Sequence, residues 1–243
     1  MILARRPDRA PRLLLATMLA ALALLAVLAA NVAAGGASGW DRFMFRQLYS
    51  GDWDWAGARS PGQDNRVLEV AVPFLYRLAD TRILLLLVAA VLGVLLLRKL
   101  VRATAFFAAA VAVTAMAPVL KMIFDRPSPF PMPDDPSFPS GHATGSMAVA
   151  AGIVALLGST RWRWAAFVAS AVFLVGIGVA VVADGGHWPS DVLAGWSLSF
   201  AWVAMLRAVV GDPLRRSAAR SPNVYSAGSR VIPPAGAGSA SPV

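Results

Sequence analysis

The chain of 243 residues is 58% hydrophobic and only 14% charged, carries a net charge of +9, and contains no cysteine. Apolar blocks of about 20 residues match the thickness of a bilayer, so the composition excludes a water-soluble globular domain and specifies an integral membrane protein. The missing cysteines exclude a disulfide framework, a thiolate metal site and a thiol nucleophile.

In chain order, residues 1–12 form a basic N-terminal segment expected on the cytoplasmic side, and 13–34 a first transmembrane helix. That run is longer than the apolar region of a signal peptide, so a retained span is expected. Residues 35–70 contain GWDRFMFRQLYSGDWDW, where Trp40, Phe43, Met44 and Leu48 recur at helical spacing with Trp53 and Trp55 to follow. This predicts an interfacial helix with an aromatic belt outside the bilayer. Residues 71–211 hold five further spans, near 83–97 (with a start as early as 72), 103–123, 142–158, 165–183 and 191–209. Residues 212–243 are rich in Ser, Pro, Gly and Ala without periodicity, which predicts a disordered cytoplasmic tail. The expected fold is all-α, a bundle of six transmembrane helices forming one domain.

Charge sets the expected threading. With the N-terminus inside, the inner segments sum to +12 and the outer segments to −3, which together give the chain's +9. The positive-inside rule selects this orientation, in the inner membrane with both termini cytoplasmic. The basic residues sit in short juxtamembrane clusters with no aromatic–basic interleaving, so the charge signals topology and excludes nucleic acid as a partner.

On this threading both histidines of the chain reach the same outer face. His142 opens the fourth span within FPSGHATGSMA, and His187 follows the fifth within ADGGHWPSD. Lys121 and Arg126 emerge beside them from the third span. Three segments converging their polar groups on one side is what a site requires. In HWPSD a helical spacing puts Asp191 on the face of His187, where the carboxylate would accept the Nδ1 proton and leave Nε2 nucleophilic. Ser140, the Gly141 amide and the start of the fourth span form a cradle for an anion, because unpaired helix N–H groups and the dipole favour phosphate there. Lys121 and Arg126 add positive charge, and His142 is placed to protonate a leaving alkoxide.

These residues resemble the type-2 phosphatidic acid phosphatase superfamily of membrane lipid phosphatases over roughly residues 70–209. The family signature runs Lys, then Arg-Pro seven and eight residues on, then Pro-Ser-Gly-His, then Ser-Arg, five residues, His, three residues, Asp. Pro139 to His142 and His187 with Asp191 match it. The resemblance implies that His187 becomes a phosphohistidine, Asp191 orients it, His142 is the general acid, Lys121, Ser140 and Gly141 hold the phosphate, and no metal or other cofactor is needed. Two motif arginines are replaced. The Arg-Pro position falls on Ser128-Pro129, with Arg126-Pro127 two residues early, and the Ser-Arg position falls on Ala180-Val181.

The expected function is metal-independent hydrolysis of a lipid phosphomonoester or diphosphate at the extracytoplasmic face. The Ala-, Leu- and Arg-rich composition suggests a bacterial source and phosphatidate or isoprenyl diphosphate substrates. A catalytically weak or inactive lipid-phosphate binder and a phosphotransferase of the same fold are the alternatives. Oligomeric state is not legible in the sequence.

Overall fold

The computed structural model describes residues 9–49, 74–78, 80–129, 136–158 and 160–214, and every regular element among them is helical. Residues 215–243 of the expected tail, Trp53 and Trp55 lie outside the described residues. Helix α1 spans Arg9–Ala33 and the short α2 spans Gly39–Leu48. A helical turn at 74–78 precedes α3, Thr81–Leu97; α4, Val101–Val111, continues through a 3₁₀ turn at Ala112–Ala115 into α5, Met116–Phe124. Then come α6, Gly141–Leu156, α7, Arg163–Ala183, and α8, Pro189–Val210.

Local chemistry explains the helix ends. Asp80 caps α3 by accepting the Arg82 amide at 2.7 Å. Ser38 and Asp41 form a reciprocal capping box at the start of α2, and Pro189 occupies the first turn of α8, where its missing N–H costs nothing. The 3₁₀ turn within the third rod lies just before Pro118, whose ring crowds the carbonyl of Thr114 and removes one rung of the ladder.

Four helical stretches are long and apolar enough to cross a bilayer, Pro11–Ala33, Val101–Phe124, Arg163–Ala183 and Pro189–Val210; Thr81–Leu97 and Gly141–Leu156 are apolar but shorter. Leu86, Leu97, Met122, Ile123 and Val172 project outward, as side chains bathed in hydrocarbon do.

Helix α6 is the axis of the bundle, packed against α3, α4, α7 and α8, while α1 lies along α8. Its sequence of small residues permits this closeness. A Cβ on Gly152 would stand 3.1 Å from the Phe107 ring, and one on Gly195 of α8 would stand 2.8 Å from both the Ser140 carbonyl and Thr144 Oγ1. Helices in lipid associate through such close backbone approach and through polar bonds between them. Ser199 donates to the Thr144 carbonyl at 2.8 Å, and Trp202 Nε1 to the Ala109 carbonyl at 2.8 Å.

Candidate active site

The start of α6, the end of α7 and the start of α8 meet at one end of the bundle, and both histidines are there. Their ring centroids are 6.4 Å apart with the planes at 71°. The spacing lets one phosphoryl group touch both rings. His187 is buried to 8% exposure; His142 is half-buried and packs its ring 5.0 Å from that of Tyr76.

Backbone bonds hold the arrangement. His187 Nδ1 lies 2.9 Å from the carbonyl oxygen of Ser137. A carbonyl only accepts, so Nδ1 carries the proton and Nε2 presents a lone pair. The Ser137 amide in turn donates to the Arg126 carbonyl at 2.7 Å, and the Ser140 amide to the Asp191 carbonyl at 3.1 Å. Three chain segments distant in sequence are thereby stitched into one wall. Ser140 is fully buried and caps α6, accepting the Ala143 amide at 3.3 Å, whereas Gly141 is exposed with open space where a Cβ would stand. The first turn of α6 therefore presents backbone N–H groups toward an unobstructed approach.

Asp191 does not receive the Nδ1 proton that the His-x3-Asp spacing led us to expect. Its Oδ2 is 3.8 Å from His187 Nδ1, beyond hydrogen-bond reach. The reason is prior commitment: Oδ2 accepts the Trp188 amide at 2.8 Å at the start of α8, and Oδ1 is paired with Arg126. The carboxylate still places a negative charge behind the imidazole.

Arg126, expected among the phosphate ligands, is 2% exposed and bound on both amino groups. Nη1 donates to Asp191 Oδ1 and to Ser190 Oγ at 2.7 Å; Nη2 donates to Asp41 Oδ2 at 2.9 Å and to the Gly36 carbonyl at 3.2 Å. Only Nε lacks a partner among the described residues. Lys121 stands in the last turn of α5, half-buried, one turn before Arg126.

Asp41 was not among the expected site residues. It comes from α2, is 1% exposed, and accepts from the Ser190 amide at 2.9 Å and the Ser190 hydroxyl at 2.8 Å as well as from Arg126. Burial alone would raise its pKa, but the bonds from Ser190 and Arg126 outweigh burial and hold the carboxyl below the usual carboxylate range. The helical spacing of Trp40 and Phe43 drew attention to the face of α2 that the structure leaves exposed, while Asp41 and Phe45 face inward. Ser38 followed three residues later by an acid was the available signal: it marks the start of α2 but not the partner of Asp41.

Val181, at the position of the absent motif arginine, is fully buried against Phe45, Ala143 and Ile177. At the other end of this turn, Asp184 has its pKa raised by burial, an effect that the neighbouring His187 partly offsets. Among the described residues no group of three or more His, Asp or Glu side chains is arranged to hold a metal ion.

Comparison with known proteins places this geometry. Over 77 residues the chain is 42% identical to an undecaprenyl-diphosphatase of Sulfolobus acidocaldarius, covering 31% of this chain and 34% of that protein. Over 74 residues it is 43% identical to a lipid A 1-phosphatase of Rhizobium johnstonii, covering 30% and 28%. The matches thus span about a third of these curated relatives' length. The fold is similar to the crystal structure of the transmembrane PAP2-type phosphatidylglycerolphosphate phosphatase of Bacillus subtilis, with TM-score 0.59 and 20% identity over 79% of this chain and 95% of that one. The profile of the PAP2 superfamily matches residues 84–214, more than half of the sequence and all of the histidine-bearing wall, and the chain belongs to that superfamily.

Proposed function

We propose that the protein is a lipid phosphatase that cleaves a phosphomonoester or diphosphate through a phosphohistidine at the extracytoplasmic face of the inner membrane. It would cross the membrane six times with both termini inside. The observation that carries the reading is the pair of imidazoles 6.4 Å apart at the N-terminus of α6, one of them with its Nδ1 proton fixed on the Ser137 carbonyl.

The chemistry follows from that placement. The phosphate docks against the first amides of α6, where the helix dipole favours negative charge, with Lys121 nearby. His187 Nε2 attacks phosphorus, and the P–O bond to the lipid breaks as His142 delivers a proton to the leaving oxygen. The phosphorylated ring keeps its Nδ1–H bond to Ser137, and the Asp191 carboxylate at 3.8 Å stabilises the added positive charge. His142, now neutral, takes a proton from water, which displaces the phosphoryl group and regenerates His187. The undecaprenyl-diphosphatase and lipid A 1-phosphatase relatives support a bulky lipid on the departing side.

A second reading, a homologue that binds lipid phosphate without turnover, is favoured by two observations: both amino groups of Arg126 are occupied by carboxylates and other acceptors, and Val181 is core. Phosphate release in detergent with EDTA, from a panel of an isoprenyl diphosphate, a phosphatidate and a phosphatidylglycerol phosphate, separates the two. Release from one lipid that falls at least ~1,000-fold in His187→Ala and ~100-fold in His142→Ala is the expected result. Binding without release from any of them would leave the second reading standing.

A further inference from the structure

The bundle has a second end. Helix α6 leaves the histidine wall and runs for 16 residues, so its C-terminus lies about 24 Å away. There α7 and α8 diverge, and with α1 and α6 they enclose an apolar groove of about 750 Å³ lined by Leu14, Met147, Val154, Phe167, Leu174 and Phe200. Its size falls within the ~300–1,000 Å³ typical of small-molecule sites.

The mouth of the groove is basic. Arg207, in the last turn of α8, lines it and is half-buried; its Nη2 lies 3.2 Å from where a Cβ on Gly158 would stand. Arg163 Nη1 donates to the Gly158 carbonyl at 3.1 Å, so two guanidinium groups meet over one glycine. Neither makes an ion pair among the described residues. Asp212, the acid at this end, accepts the Leu214 amide at 3.1 Å. Two cations thus stand at the mouth of an apolar slot, Arg207 in its lining and Arg163 on the carbonyl of the lining residue Gly158.

We propose that this groove binds one anionic phospholipid of the leaflet opposite the histidine site, with an acyl chain between α6, α7 and α8 and its phosphate against Arg207 and Arg163. A partly desolvated arginine at the membrane surface gains by meeting an anionic headgroup, and a cavity lined by alkyl groups within a bilayer is filled by a lipid tail. The site is separate from catalysis, and its occupancy steadies the splayed ends of α7 and α8.

The test uses the full-length protein, delipidated in mild detergent and given phosphatidylglycerol or phosphatidylcholine of the same chain length, with bound lipid counted by native mass spectrometry. One phosphatidylglycerol per chain is expected, retained about 25-fold more than phosphatidylcholine, since each of the two arginines contributes roughly fivefold. Glycerol phosphate, the headgroup without chains, should not compete. Arg207→Gln should cut the preference about fivefold and Arg207→Lys should keep most of it. Ala151→Trp, which fills the slot, should remove retention of both lipids. Equal retention of the two lipids by the wild type, an unchanged preference in Arg207→Gln, or full competition by glycerol phosphate would each overturn the proposal. The wild-type comparison decides it even where a variant fails to fold.

Discussion

Arg126→Leu is the most informative perturbation, because sequence and structure assign that guanidinium different work. In the structure it is the one cation between two carboxylates, Asp41 at 1% and Asp191 at 0% exposure. Removing one member of a buried pair costs about 3–5 kcal/mol, and here two anions lose the same partner, which puts the loss at the upper end. For a protein of this size that lowers Tm by roughly 10–20 °C. The double variant gives the sharper readout. Asp41→Asn alone should destabilise by about 2 kcal/mol, since it weakens charged bonds to Arg126 and Ser190 while leaving the Arg126–Asp191 pair intact. In the Arg126→Leu background the same change removes one of two facing anions and should stabilise. A substitution whose sign inverts with its neighbour's identity reports direct coupling. Thermal unfolding of the four proteins in detergent measures it. Arg126→Leu melting with the wild type while KM alone rises would refute the reasoning and return the guanidinium to the phosphate.

Three further outcomes follow from the same geometry. Asp41 has a folded pKa below its ordinary value, so its contribution is complete above the unfolded value near 3.8 and is lost as pH falls through the folded one; protease sensitivity of α2 should rise only under strongly acidic conditions in the wild type, and already at neutral pH in Asp41→Asn. Gly195→Ala should cost about 1–3 kcal/mol, and because its methyl would press on Ser140 and Thr144, phosphate release should fall more than stability; retention of full activity would mean that α8 does not fix the α6 N-terminus. Val181→Arg should lower Tm by burying an unpaired charge beside Phe45 and Ile177 and should leave activity no higher; a gain in phosphate release would show that the pocket accepts a second guanidinium there.

The helices were legible because lipid leaves the backbone no alternative: apolar runs near bilayer length must close their hydrogen bonds internally. The convergence of His142 and His187 was legible too, since the hairpin formed by α6 and α7 returns the chain to the face it left. What stayed hidden has a common cause. The Ser137 carbonyl that fixes the His187 tautomer is a backbone group, and no side-chain spacing encodes it. Likewise Asp41 meets Ser190 across 149 residues, and its neighbours in sequence show only a helix start. The His-x3-Asp interval predicts one helical face, but α8 begins only at Pro189 and Trp188 before it is extended, so His187 precedes the helix; Asp191 sits in the first turn, where its carboxylate is claimed by the Trp188 amide.

That competition bears on how the site works with fewer cations. A guanidinium at Val181 would need the space that Phe45 occupies, and Phe45 is on the helix that delivers Asp41. The two features therefore come together: apolar packing of Phe45 on Val181 and Val192 seats α2, and seating α2 brings Asp41 onto Ser190 and Arg126. Arg126, drawn between Asp41 and Asp191, then holds the first turn of α8 against the loop that carries Ser137. If the proposed function holds, α2 braces His187 from behind, and positive charge on the phosphate side would fall to the α6 amides, Lys121 and a protonated His142. Such a site depends on the exact seating of the α6 N-terminus, which is why a single methyl at Gly195 should cost it more activity than stability.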